Sequence, residues 1–150
     1  MLIETERCRI RRFKEGDLEA FMDYRNNSEW MKYQGFKNRT REEYAAFLLG
    51  KRNVITGMQL ALAEKESDSL IGDIYLKYDG EVYTLGYTLH PGYSGKGYMT
   101  EALRALIKQL NSEIHAGVLP ENEASKKLLK RLGFTYSYFD EAEGEEVYIY

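Results

Sequence analysis

An α/β fold, with a mixed sheet and helices packed on it, is predicted by three observations. Apolar and charged residues alternate in "RCRIRRF", an Asp-Gly pair joins "LIGDIYLKY" to "EVYTLGYTL", and the glycine-rich stretch "HPGYSGKGYMTEAL", residues 90–103, runs directly into a helical pattern. At 150 residues with 43% hydrophobic and 30% charged side chains and only two prolines, the chain suits one packed domain spanning 1–150. It shows no repeat and no Pro/Gly/Ser-rich linker.

Each element follows from its own pattern. Cys8 and Ile10 alternate with Arg7, Arg9 and Arg11, the two-residue period of a half-exposed strand. Asp17 is placed to cap a helix whose Leu18, Phe21 and Met22 share a face, and Thr40 with Glu43 forms a capping box ahead of Tyr44, Phe47 and Leu48. "MQLALAEK" supplies a further strand. A two-residue turn at Asp79-Gly80 would pair Tyr78 with Glu81, Leu76 with Tyr83 and Ile74 with Leu85, leaving Asp73, Thr84, Gly86 and Thr88 on the polar side. In that register Asp73 lies opposite Gly86. Met99, Leu103, Leu106, Ile107 and Leu110 mark an amphipathic helix, and "EIHAGVL" a strand. Asn122 can cap a last helix bearing Leu128, Leu129 and Leu132, with Gly133 at its left-handed end. "FTYSYF" and "EEVYIY" close the chain as strands around an acidic turn.

Composition narrows the partners. The net charge of -3 gives no electrostatic reason to expect nucleic acid and accommodates a cationic ligand. A lone cysteine, Cys8, cannot form an internal disulfide, and His90 and His115 lack metal-ligand spacing, so no metal is expected. Charges begin at residue 4 and no membrane-length apolar run follows, which points to a cytoplasmic protein without a membrane partner.

The glycine stretch is neither a Walker A motif nor a dinucleotide fingerprint. Its glycines nonetheless let successive N–H groups turn inward at a helix N-terminus, where a pyrophosphate would fit. Lys96 either adds charge at the rim or points into water; the competing reading is a flexible connection.

Together with "PENEASKKLLKRLGF", residues 120–134, this stretch resembles the GNAT acyltransferase superfamily, and its branch acting on ribosomal-protein N-terminal amines and related small amines. The matching residues are Gly95, Lys96 and Gly97 followed by "YMTEAL", and Asn122, Ser125, Leu128, Gly133 and Phe134; "ETERCRIR" is similar to that branch's opening strand. The resemblance implies a mixed, mostly antiparallel central sheet with helices on both faces. It also implies a diphosphate of coenzyme A held by the backbone from Ser94 through Gly95, Lys96, Gly97 and Tyr98 to Met99. The cofactor arm would pair with the strand around Tyr87, Thr88 and Leu89, with His90 at the loop entrance and Asn122 and Ser125 near the arm or its sulfur. The sequence departs from the family pattern at Gly92, Ser94 and Leu129, the last standing where many members carry a tyrosine acid.

The implied activity is acetyl transfer from acetyl-CoA to a primary amine. Such a reaction needs a neutral amine, a stabilised oxyanion and a protonated thiolate. A strand amide near Leu89 would polarise the carbonyl, Ser125 or a water it orients would protonate sulfur, and Asp73 is a candidate base. His90, His115 and Ser125 also have ordinary structural readings, as does Asp73 as a polar strand residue; Cys8 reads as a small buried apolar group. Trp30, Tyr33 and Phe36 can form part of the acceptor wall or pack in a core. The five carboxylates of "DEAEGEE", residues 140–146, can steer a cationic amine or solvate a hairpin tip. The acceptor is expected to be a protein N-terminus, with a polyamine or aminoglycoside as alternative. A non-catalytic acyl-CoA-binding sensor module and a binder of other phosphate ligands are further alternatives, and the resemblance allows a homodimer through the aromatic C-terminal strands.

Overall fold

The computed structural model describes residues 2–150. Among them are eight strands in one sheet: β1 (Ile3–Glu4), β2 (Cys8–Arg11), β3 (Met58–Glu64), β4 (Leu70–Tyr78), β5 (Val82–Leu89), β6 (Glu113–Val118), β7 (Thr135–Asp140) and β8 (Glu145–Ile149). The helices are α1 (Leu18–Arg25), α2 (Arg41–Leu48), α3 (Tyr98–Ile107) and α4 (Glu123–Leu132). The spatial order is β1-β2-β3-β4-β5-β6-β8-β7, and every pairing is antiparallel except that of β5 with β6. The strand patterns predict a mixed sheet, and the family resemblance a mostly antiparallel one; this sheet is both. No helix among the described residues is long and apolar enough to cross a membrane.

The two-residue period of the strands sends apolar side chains to both faces, and each face acquires its own helices. On one side Ile74, Leu76, Leu85, Ile114 and Ala116 meet the stripe Met99, Leu103, Leu106 and Ile107 of α3 and Leu129 and Leu132 of α4. On the other, Ala61 and Leu70 lie under Leu18, Phe21 and Tyr24 of α1 and Tyr44 and Leu48 of α2. Each large aliphatic side chain so buried contributes about 1.5–3 kcal/mol. Helix ends form where the sequence places them. The Thr40–Glu43 capping box closes with bonds of 3.1 Å in both directions, Asn122 Oδ1 accepts from Ser125 N, and Gly133 ends α4 at φ 101°.

Four expectations are corrected. The hairpin register is displaced by two residues: Tyr78 pairs with Tyr83, Leu76 with Leu85, and Asp73 with Thr88 rather than Gly86. The Asp79 carboxylate accepts the amides of Glu81 and Val82 at 2.8 and 2.9 Å, so Asp79 closes the ladder and Gly80-Glu81, with Gly80 at φ 100°, makes the turn. A displacement of two preserves the faces, so the apolar side survives.

Arg11 is not an exposed strand residue. Its guanidinium forks onto Asp17 at 2.8 and 2.9 Å and reaches Asp68 at 2.9 Å. Asp17, committed to Arg11 and to the Lys14 amide, gives no side-chain cap to α1. Asp68 gathers Lys14, Arg11 and Arg9, which hold its carboxyl well below the usual carboxylate range.

Asp73, placed by its strand pattern on a polar face, is completely covered by α1. Arg25 NH2 donates to Oδ1 at 2.6 Å, Tyr24 OH to Oδ2 at 2.5 Å, and Gln59 Nε2 to Oδ1 at 2.6 Å. Burial, then the neighbouring Asp73 charge, raise the Tyr24 phenol well above its ordinary value. Removing one partner of such a pair strands the other charge in the interior. Arg25→Met is therefore expected to lower unfolding free energy by about 3–5 kcal/mol in denaturant titrations, and a loss below 1 kcal/mol would show that the pair does not hold α1 to the sheet.

Candidate active site

β5 and β6 pair only from Val82 to Thr84 against Glu113 to His115. Past that point Leu85–Leu89 keep β4 on one side and Ala116–Val118 keep β8, and the facing edges separate. A groove of about 1600 Å³ opens there and runs to the start of α3. Tyr87, Thr88 and Leu89 line it from β5, Ser94, Gly95 and Gly97 from the loop, and Tyr98 and Met99 from the first turn of α3. Asn122 and Ser125 enter from α4, and Trp30 and Tyr33 from the segment after α1.

The loop end is a backbone cradle. Gly95 and Gly97 stand in the left-handed region at φ 74° and 79°, where glycine avoids the steric cost of a side chain. The first backbone bond of α3 is Glu101 N to Gly97 O, so the amides of Tyr98, Met99 and Thr100 have no partner among the described residues. Glu101 anchors the cradle from below: its carboxylate accepts Thr5 OH at 2.5 Å, Arg7 N at 2.8 Å and Arg7 Nε at 2.7 Å. Arg7 NH1 then donates to Lys96 O at 3.0 Å while the guanidinium covers the Tyr98 ring at 4.3 Å.

Lys96 thus contributes its carbonyl to this buttress, and it is absent from the groove lining. His90 also stands outside the lining: its Nδ1 accepts from Gly92 N at 3.0 Å and its Nε2 meets Asp23 at 3.2 Å, fixing the turn before the cradle. Arg104 and Lys108, and Lys127 and Arg131, give the groove a basic rim that motif reading missed. The readable signal was their i,i+4 spacing on the two helices that flank the cradle.

Midway along the groove, Tyr87 OH lies 2.6 Å from Ser125 Oγ. Burial pushes the Tyr87 phenol up to about 12, so it stays protonated at neutral pH. Leu129 is fully buried in the core. The phenol that reaches Ser125 comes from β5. Trp30 Nε1 donates to Leu89 O at 2.8 Å, using one of the strand's free edge groups.

Phe36 does not join Trp30 and Tyr33. Its ring packs 4.9 Å from Phe47 and 5.3 Å from Tyr44, in the core beneath α1 and α2. Asp73 likewise lies outside the groove lining, held by the buried network. His115 pairs with Glu113 at 2.6 Å. Burial pushes the Cys8 thiol up to about 11, in keeping with a packed apolar group. No group of three or more His, Cys, Asp or Glu side chains among the described residues could hold a metal ion.

The sequence and the fold both have counterparts among known proteins. Residues 7–135 match the family described as the acetyltransferase (GNAT) domain. The chain belongs to the GNAT family. It is 34% identical over 140 residues to the uncharacterized N-acetyltransferase YnaD of Bacillus subtilis (strain 168), covering 89% of this chain and 82% of that protein. A GNAT-family acetyltransferase from Bacillus anthracis superposes with a TM-score of 0.84 at 28% identity, over 100% of this chain and 96% of that one. RimL, a ribosomal L7/L12 alpha-N-protein acetyltransferase in complex with coenzyme A, has the same fold, with a TM-score of 0.80 at 17% identity over 100% and 96% of the two chains. This GNAT protein is an acetyltransferase.

Thr88 raises a separate question, since its hydroxyl is buried without a hydrogen-bond partner. Thr88→Val keeps the shape and removes the unpaired group. Thermal unfolding is expected to show unchanged stability or a gain of up to about 1 kcal/mol, whereas a clear loss would mean that the hydroxyl is bonded in solution.

Proposed function

We propose that this chain is a single-domain acetyl-CoA-dependent N-acetyltransferase whose acceptor is a primary amine, with a protein N-terminus favoured over a polyamine or aminoglycoside. The observation that carries the reading is the Tyr87–Ser125 hydroxyl pair, set 2.6 Å apart in the groove that also contains the cradle. The wide groove, walled by Trp30 and Tyr33, has room for a chain end, and its resemblance in sequence to the ribosomal-protein branch supports that preference.

The residues fit the cofactor. Free amides at the start of α3 and open space beside Gly95 suit the diphosphate, and the basic rim suits the phosphates of the nucleotide end. When bound, acetyl-CoA supplies an activated acyl group as a thioester. The open edge of β5 at Tyr87–Leu89 holds the arm as an added strand, as sheet edges hold extended ligands. A strand amide near Leu89 donates to the carbonyl oxygen as charge develops there. Ser125, oriented by Tyr87, donates the proton that sulfur needs on departure.

Thiol release with acetyl-CoA, measured across N-terminal peptides, polyamines and aminoglycosides, tests the reading. Turnover with one amine class is expected, and its loss in Gly95→Trp, which fills the cradle, would tie it to this groove. Tight acetyl-CoA binding with no turnover across the panel would instead favour a sensor module, the reading that Leu129 motivates.

The proposed acid has its own test. Ser125→Ala is expected to lower kcat about a hundredfold while leaving acetyl-CoA affinity within a few-fold. Unchanged turnover would remove Ser125 from the chemistry.

A further inference from the structure

His90 stands between the end of β5 at Leu89 and the loop that leads to the cradle, and its own N–H donates to the Ile71 carbonyl of β4 at 2.7 Å. The ring is used at both nitrogens. Nδ1 accepts from Gly92 N at 3.0 Å, and Nε2 lies 3.2 Å from Asp23 Oδ2 on the last turn of α1. A backbone amide can only donate and an ionised carboxylate can only accept, so the partners assign the proton to Nε2 and leave Nδ1 bare. A Cβ at Gly92 would stand 3.2 Å from Nδ1 and 3.4 Å from Cε1, so glycine lets the ring close over its amide.

The same ring is one link in a line of contacts that runs from α1 to the cradle. It meets Tyr24 edge-on at 5.7 Å between centroids and Tyr93 at 6.0 Å. Tyr24 is bonded to the buried Asp73, and Tyr93 packs at 5.7 Å against Tyr98, the first residue of α3. The short turn Pro91–Tyr93 that His90 closes also holds Tyr93 N to His90 O at 2.9 Å, and it ends at Ser94, where the loop begins to line the groove. His90 is thus the residue at which α1 and the cofactor loop are tied to each other through one side chain.

We propose that His90 is a positioning residue for the cofactor cradle, and that it acts only as the neutral imidazole protonated on Nε2. The role rests on the cofactor reading above. An imidazolium donates from both nitrogens, so a proton on Nδ1 sets two N–H groups against each other at Gly92 and breaks the loop bond. Asp23 gains a charge partner in the same step, but its carboxylate is 73% exposed and such a pair is worth little. The charged and titratable groups around the ring are Asp23 and Tyr24 of α1 and Tyr93 of the turn, with Asp73 of β4 behind Tyr24. Coenzyme A is gripped by the loop that the neutral ring holds, so its binding and the protonation of His90 oppose each other. Affinity therefore falls as pH drops through the range in which histidines titrate.

Calorimetric binding of coenzyme A and histidine NMR test this together. In long-range proton–nitrogen spectra of the free protein at about pH 8, the His90 signals, assigned by their absence in His90→Asn, should show the proton on Nε2. The opposite tautomer would overturn the proposal. Between about pH 8 and about pH 5.5 the parent should lose about fivefold more affinity than His90→Asn, whose Oδ1 accepts the Gly92 amide at every pH. Titration of the ligand's own phosphates acts on both proteins and drops out of the comparison. His90→Phe keeps a ring between Tyr24 and Tyr93 but accepts no hydrogen bond, and at about pH 8 it should bind about fivefold more weakly than His90→Asn in a chain that melts normally. Equal pH dependence in the parent and His90→Asn, or equal affinity in His90→Phe and His90→Asn, overturns the positioning role alone. A parent chain that binds no coenzyme A at any pH overturns the cofactor reading and the role with it.

Discussion

The site depends on how soon β5 and β6 stop pairing. A sheet leaves backbone donors and acceptors unmatched only at a cost, and here the unmatched edges face each other inside the molecule rather than at its rim. The edge of Leu85–Leu89 is consequently a row of polar groups waiting for partners. Trp30 already satisfies one, the Leu89 carbonyl. Had the parallel pairing continued, the groove and the meeting of Tyr87 with Ser125 would both be closed.

The two sheet faces divide the work. Helices α3 and α4 bring a cradle, a basic rim and a hydroxyl pair to one side, all suited to a phosphorylated thioester. On the other side α1 is held down by the Arg25–Asp73 pair, with Tyr24 and Gln59 completing the shell around the carboxylate. Burying such a pair is expensive, and full hydrogen bonding offsets the cost. In exchange α1 is fixed against β4 beside Thr88, so the segment carrying Trp30 and Tyr33 departs from a rigid base.

Much of this was legible in the sequence because the signals were local. Capping at Thr40 and Asn122, the left-handed Gly133 and the stripe of α3 all lie within a few residues of the structure they specify. The cradle was legible for the same reason. What escaped was decided between distant segments. Arg11 read as exposed because its partners Asp17 and Asp68 are supplied by a turn and a loop. Asp73 read as available because nothing near it announces that Tyr24 and Arg25 will land on it. Phe36 and Trp30 look alike as aromatic residues in one segment, and only the aromatic cluster beneath α1 and α2 separates them. The hairpin slipped because Asp79 uses its side chain to end the ladder, a choice that Asp-Gly alone does not reveal.

Thr5 and Arg7 give the opening strands a bearing on the chemistry that their distance from it in sequence hides. Through Glu101 and the Lys96 carbonyl they act as a tie rod between the sheet's outer edge and the glycine loop. The loop's shape is therefore a property of two chain segments some ninety residues apart. A fusion, cleavage or sequence change that disturbs residues 5–7 amounts to an alteration of the glycine loop, even though the glycines themselves are untouched.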